Sequence, residues 1–193
     1  MKTKRIVVSS LAELHVNGEI LFKCKNKWTR YFMGTLAILI GGLRTTEKAS
    51  DWAGTIGKTI DARVGTDTST PTNPSMDDLV SGIDIAPDSK TRRLIIDTGN
   101  RLFTAEFVFT WNAGTLPDVT VGELGVYFNL GDDSWSSPYL NPIIDGNLHD
   151  PWINSARRLA SRIASADGAF DAFEFYGSID PLTFKWRFQV AIT

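Results

Sequence analysis

The clearest pattern in the chain lies at its end. In LTFKWRFQVAIT, Leu182, Phe184, Trp186, Phe188, Val190 and Ile192 alternate without error against Thr183, Lys185, Arg187, Gln189, Ala191 and Thr193. Side chains of a strand point alternately to its two faces, so a period of two this long predicts a half-buried antiparallel strand. RLFTAEFVFTW has the same signature, with Phe103, Ala105, Phe107, Phe109 and Trp111 on one side and Leu102, Thr104, Glu106, Val108 and Thr110 on the other. TRRLIIDT, Thr91 to Thr98, reads as a strand before it, and DTGNR supplies the turn chemistry to join the two as a hairpin. Val119 to Leu130 is expected as a further strand, with Leu124, Val126, Phe128 and Leu130 on one face, and TIGKTIDARV, Thr55 to Val64, as another. Near the N-terminus two short strands, Arg5 to Val8 and Glu19 to Cys24, are expected, the second directly after Asn17-Gly18. Asn-Gly is a strong hairpin signal because both central residues of the tight turn take positive φ.

The period then changes. After Trp28 the apolar residues Tyr31, Phe32, Leu36, Leu39, Ile40 and Leu43 draw one helical stripe. The spacing predicts a helix over about 28–43, capped by Asn26 and ended by Gly41-Gly42. In SARRLASRIASA, Ser155 to Ala166, a helical stripe (Ala156, Leu159, Ala160, Ile163) and a strand at Arg158 to Ile163 fit the composition about equally. The loop VGTDTSTPTNPSMDDLVSGI, Val64 to Ile83, is expected to hand a strand over to a short second helix. Pro71 and Pro74 would stiffen it and Ser75 would cap the helix. Asp77 and Asp78 would lie in the first turn, where the helix dipole favours negative charge, and Leu79 and Ile83 would be buried. The expected architecture is mainly β: an antiparallel, jelly-roll-like β-sandwich with one N-terminal helix, a short second helix and an extended N-terminal arm. Residues 1–27 would form the arm and hairpin, and 28–193 a single domain.

Composition narrows the function classes. With 42% hydrophobic and 22% charged residues among 193, the chain can bury a real core. Six Trp and eleven Phe suit a β-rich core or a large interface. A formal charge of -2 gives no general pull toward nucleic acid or anionic lipid. Cys24 is the only cysteine, which excludes an internal disulfide, and it reads as a partly buried thiol. The apolar run YFMGTLAILIGGL, between Arg30 and Arg44, is shorter than the ~20 residues that a membrane span needs. No signal-peptide layout opens the chain, so a product soluble in the cytoplasm is expected.

No reaction announces itself. The Val64–Ile83 loop has no second glycine at phosphate-loop spacing from Gly65 and no lysine, and Asp67, Asp77 and Asp78 would repel a phosphate. These carboxylates, like Asp132, Asp133 and Asp145, are too scattered for a calcium loop. Glycoside hydrolysis needs two facing carboxyls. Glu106, Glu123 and Glu174 are candidates, yet Glu106 reads as part of a solvated strand face and Glu123 as a turn residue bonding a nearby backbone N–H. His15 and His149 are the two histidines; His149 reads as a loop cap, and no G-x-S-x-G elbow offers a serine. Cys and His together number three, too few and too separated for structural zinc. No catalytic residue, cofactor or metal is therefore expected. One alternative involves Trp135, Tyr139 and Trp152, in GDDSWSSPYLNPIIDGNLHDPW, as stacking platforms of a carbohydrate-binding module. The plainer reading has them plugging the end of the fold or buried against another subunit.

Several segments in order carry a family resemblance: Asn26-Lys27-Trp28 leading to the apolar-glycine run, Val64-Gly65-Thr66, a Thr/Pro loop, Asp78-Leu79, a long alternating strand, VGELGVYF, an Arg and small-residue segment, and LTFKWRF. Together they resemble virion structural proteins of tailed bacteriophages, notably tail-collar and tail-fibre-like proteins. The similarity spans roughly Asn26 to Thr193 and favours the strand at Arg158 to Ile163. It departs from the family where Asp67 replaces a second glycine and where Leu79 is followed by Val80, Ser81 and Gly82 with no acidic residue. The resemblance implies that Gly65, Thr66, Leu79, Glu123 and Gly125 determine the fold and have no catalytic duty. It also implies a non-enzymatic virion component, made in the host cytoplasm, that assembles with other virion proteins and copies of itself through surface and arm contacts. Tail, collar, fibre adaptor and head decoration all remain open, and a host glycan is the alternative partner.

Overall fold

A computed structural model describes residues 6–29, 60–76, 78–128, 143–144, 147–148 and 158–192. The protein is mainly β, built around two five-stranded antiparallel sheets. The first runs β2 (Glu19–Cys24), β1 (Ile6–Val16), β14 (Leu182–Ile192), β7 (Leu102–Trp111), β6 (Ser89–Asp97). The second runs β3 (Lys27–Trp28), β12 (Arg158–Ala164), β9 (Glu123–Phe128), β4 (Ile60–Gly65), β5 (Gly82–Ile83). Two small ribbons complete it: β8 (Asp118–Val121) with β13 (Phe173–Tyr176), and β10 (Ile143–Ile144) with β11 (Asn147–Leu148).

The alternation of β14 explains the first sheet. Leu182, Phe184 and Trp186 are buried, opposite Trp111, Phe109 and Phe107 of β7 on one side and Val16, Leu14 and Ala12 of β1 on the other. They share one core with Ile60, Ala62 and Val64 of β4, Leu124 and Val126 of β9, and Ala160 and Ile163 of β12. Each large side chain taken from water there contributes about 1.5–3 kcal/mol. Phe109 lies over Phe184 at 6.0 Å and Phe22 stacks on Phe170 at 4.4 Å. A polar bridge also joins the sheets. Asn26 bonds the hydroxyls of Ser10 and Ser161, and the Trp28 indole N–H donates to Ser10 Oγ at 2.6 Å.

Both expected hairpins form. Asn17 and Gly18 take φ of 52° and 82° in the β1–β2 turn. At the β6–β7 turn the Asp97 carboxylate accepts the Asn100 backbone N–H at 3.0 Å and its side-chain amide at 2.8 Å. The segment left between helix and strand is the strand β12.

Other expectations are corrected. Residues 6–16 are no arm: β1 pairs with β14 over its whole length and with β2 on its other edge, so it is an interior strand of this chain's own sheet. Trp28 begins no helix but lies in β3, and the Thr29 N–H donates to Ala160 O at 3.0 Å. Asn26 bridges the sheets instead of capping; the rest of the expected 28–43 helix lies outside the described residues. Among the described residues no helix follows Ser75, whose N–H donates to Asn73 Oδ1 in a turn; Asp77 lies outside them. The strand expected over Val119–Leu130 is, as far as Phe128, two strands in different sheets, broken at Gly122; Leu130 lies outside the described residues.

Candidate functional site

The feature with the most concentrated chemistry is the outer face of the second sheet, beneath the loop from Thr66 to Ser81. Arg162 of β12 and Glu123 of β9 point to this face, and each is 0% exposed. A guanidinium buried so deeply requires an acidic partner and further acceptors. Arg162 Nε and Nη2 each lie 2.7 Å from Glu123 Oε2, and Nη2 is 3.0 Å from Asp67 Oδ2. Its Nη1 donates to Thr70 O at 2.7 Å and Thr72 Oγ1 at 3.3 Å. Burial works to raise the Asp67 carboxyl, but hydrogen bonds from Thr70 and Ser69 outweigh it and hold it below the usual carboxylate range.

Glu123 carries the loop's far end. Its Oε1 accepts the Ser81 N–H at 2.7 Å and its Oε2 the Val80 N–H at 3.3 Å. Next to these, the Leu79 N–H donates to the Tyr127 hydroxyl at 3.1 Å, and that hydroxyl donates to Asp78 Oδ1 at 2.5 Å. These donors are why the expected short helix is absent: side chains from β9 satisfy the backbone groups that a helix would have used. Glu123 is therefore a strand residue with distant partners, not a turn residue serving a neighbour. A second clasp lies alongside, where Asp167 accepts the Thr72 N–H at 3.1 Å, bonds the Thr72 hydroxyl and pairs with Lys27 at 2.6 Å.

The five motif residues converge here. Gly65 lies so close to Glu123 that an added Cβ would sit 2.6 Å from its Cγ. The Thr66 N–H donates to Ser81 O at 3.0 Å. Leu79, Tyr127 and Leu159 form a small second core, and a Cβ on Gly125 would approach all three within 3.0 Å. The sequence pattern missed Arg162 and Asp67, the ionic centre of the cluster. The available signal was the second arginine of RLASRIA, which stands amid the small and apolar residues that follow Arg158.

The acids weighed for glycoside hydrolysis do not meet, since Glu106, Glu123 and Glu174 lie on β7, β9 and β13 in three different sheets. Glu174 accepts the Thr120 hydroxyl at 2.6 Å on an exposed ribbon. Glu106 is buried, contrary to the solvated face expected of it, because Arg93 and Arg187 enclose it at 2.6 Å each. Cys24 and His15 occupy opposite faces of the first sheet: Cys24 packs on the core, and His15 lies beside Glu13 at 3.6 Å. Burial pushes the Cys24 thiol up to about 11. Among the described residues no group of three or more His, Cys, Asp and Glu could hold a metal ion. In a recess of about 350 Å³ beside Cys24, Lys25 and Lys27, Lys27 is paired with Asp167 and Arg162 with Glu123. Trp135, Tyr139, Trp152 and His149 lie outside the described residues.

In this cluster the charged groups hold a loop on a sheet. No protein-family model, curated protein or solved structure matches the chain.

Proposed function

We propose that this chain is a non-enzymatic structural protein of a tailed bacteriophage particle, present in several copies and acting through its surfaces as part of the tail, collar, fibre adaptor or head decoration. Its two main sheets form a jelly-roll-like sandwich that serves as a rigid body, with first and last strands β1 and β14 side by side. The resemblance in sequence motifs supports the particle location. One structural observation supports assembly: the outermost strand β6 is exposed, with Leu94 at 65% and Ile96 at 54%. Apolar side chains on an open sheet edge favour contact with another chain.

The reading is tested on particles banded from a lysate of the strain that carries this sequence, by quantitative mass spectrometry and immunogold labelling. Several copies per particle at a defined position are expected. Absence from particles, combined with glycan-array binding that is lost in Trp152→Ala, would replace it with the carbohydrate-binding alternative.

A further inference from the structure

We infer that β6 pairs with the β6 of a second copy, antiparallel about Ile95, joining two five-stranded sheets into one of ten strands. The inference rests on the assembly reading and names the contact that reading needs.

Among the described residues nothing pairs with the outer edge of β6, while β7 pairs with its inner edge from Ser89 to Asp97. The opposite edge strand of the same sheet, β2, also exposes Ile20 and Leu21 but is shorter, six residues against nine. Within β6 the charges are unevenly placed. Lys90, Arg92 and Arg93 occupy its first half, and Leu94, Ile95 and Ile96 its second, followed by Asp97. Cationic residues are a common guard against edge pairing, so the second half is the one left open.

Self-complementarity selects the register. Centred on Ile95, Ile95 faces Ile95 of the second copy, Leu94 faces Ile96, and Arg93 faces Asp97 across both ends. Opposite residues share a face, so the outer face gains an isoleucine pair flanked by two Arg–Asp pairs, in which Arg93 adds the second copy's Asp97 to the Glu106 it already binds, and Asp97 adds a cation to its bonds with Asn100. The inner face gains two apolar rows, because Ile96 already lies opposite Phe103 and Leu94 opposite Ala105 within each copy. Full overlap of the strands instead centres on Arg93, setting Arg93 against Arg93 and Lys90 against Ile96, and like charges directly opposite disfavour it. The register is therefore fixed by repulsion as well as attraction. A two-fold contact of this kind closes on itself and yields dimers, not fibres. Edge pairing over so few residues buries less than the ~1,200–2,000 Å² of stable complexes, so a weak dimer in the micromolar range is expected, strengthened by the other contacts in a particle.

Sedimentation velocity on the full chain over about 1–100 μM, a range bracketing micromolar affinity, should show monomer passing to dimer. Ile95→Lys sets two ammonium groups face to face and should weaken the dimer by at least tenfold. Ile179→Lys, an equally polar change at another exposed isoleucine, should leave it intact. Monomer throughout, or a dimer indifferent to Ile95→Lys, overturns the proposal. Should Ile95→Lys not fold, a nitroxide at Ile95→Cys in a Cys24→Ala background decides. Opposite Cβ atoms would be about 4.5–5.5 Å apart, giving a spectrum broadened by spin exchange that dilution with unlabelled protein removes. An unbroadened spectrum overturns the pairing. Copies found in particles alongside a monomer in solution would refute this contact and leave the particle reading standing.

Discussion

The two large sheets each carry an acid–base network on the face turned away from the shared core, and the networks differ in what lies over them. On the second sheet the Arg162–Glu123–Asp67 cluster is roofed by the Thr66–Ser81 loop and closed to water. On the first sheet Lys23, Glu13, Arg187, Glu106 and Arg93 alternate in sign across all five strands, at 2.9, 2.6, 2.6 and 2.6 Å. There the acids are shielded by the long side chains around them, and the side chains of the terminal cations are 53% and 66% exposed. The same pairing chemistry thus does two jobs. Buried, it fixes a connector to a sheet; half-open, it lays a charged cover over a strand face.

The comparison breaks most sharply at Arg162. Arg162→Met leaves the buried Glu123 and Asp67 carboxylates without the cation they share, and removing one partner of a buried pair costs about 3–5 kcal/mol. Urea unfolding should register that loss. The double variant Glu123→Leu with Arg162→Met should lose less than the sum of the single changes, because only Asp67, the less buried of the two acids, is then left without the cation. A loss under about 1 kcal/mol in the single variant would mean that the cluster behaves like a surface pair.

Next in size is the close fit of the loop. A Cβ at Gly122 would come within 2.3 Å of the Asp67 backbone oxygen, a position a side chain cannot vacate by rotating. Gly122→Ala should therefore destabilise by about 1–3 kcal/mol, the usual range for overpacking. It should also raise proteolysis within Thr66–Ser81 more than elsewhere, which limited digestion would show. An equal rise across the first sheet would deny that the loop is the part displaced.

How much of this was legible in the sequence depends on where the partners of each residue lie. β7 and β14 declare themselves because one face meets the core and the other does not, and the period follows directly. β1 does not, because its inward positions include Ser10, and its outward Glu13 and His15 are themselves buried. The helix begun at Trp28 failed for a similar reason: Asn26 and Trp28 spend their polar atoms bridging two sheets, a use that local spacing cannot reveal. Gly65, Thr66, Leu79, Glu123 and Gly125 could be singled out by motif. What binds them could not, since Arg162 lies 39 residues beyond Glu123 and meets it only through strand pairing.

A smaller effect is expected at Arg187, the centre of the open ladder. It touches two acids, as Arg162 does, but Glu13 keeps Lys23 and Glu106 keeps Arg93, so Arg187→Met should cost about 1–2 kcal/mol, within the range of ordinary point changes. The pH dependence reports on this ladder through Glu13. Burial alone would raise Glu13, but hydrogen bonds and ion pairs with Lys23 and Arg187 outweigh it and lower the carboxyl from 4.5 to about 2. Its contribution is then fully present above pH 4.5 and is lost as pH falls toward 2. Arg187→Met should shift that loss to higher pH, as read from urea midpoints between about pH 2 and 6, the span of the two titrations. An unchanged profile would show that Arg187 does not hold Glu13 ionised.

The mildest perturbations are at the ends of the ladder. Lys23→Ala and Arg93→Ala each remove a cation whose charge is already solvated, so each should cost less than about 1 kcal/mol and less again in high salt. They sharpen the comparison because the pairs are as short as those around Arg162, with 2.6 Å between Arg93 and Glu106. If exposure and not distance sets the energy, these near-neutral changes and the large loss at Arg162→Met must come from contacts of nearly equal length. A loss at Arg93→Ala comparable to that at Arg162→Met would instead mean that Glu106, itself deeply buried, depends on that one cation even though Arg187 stands on its other side.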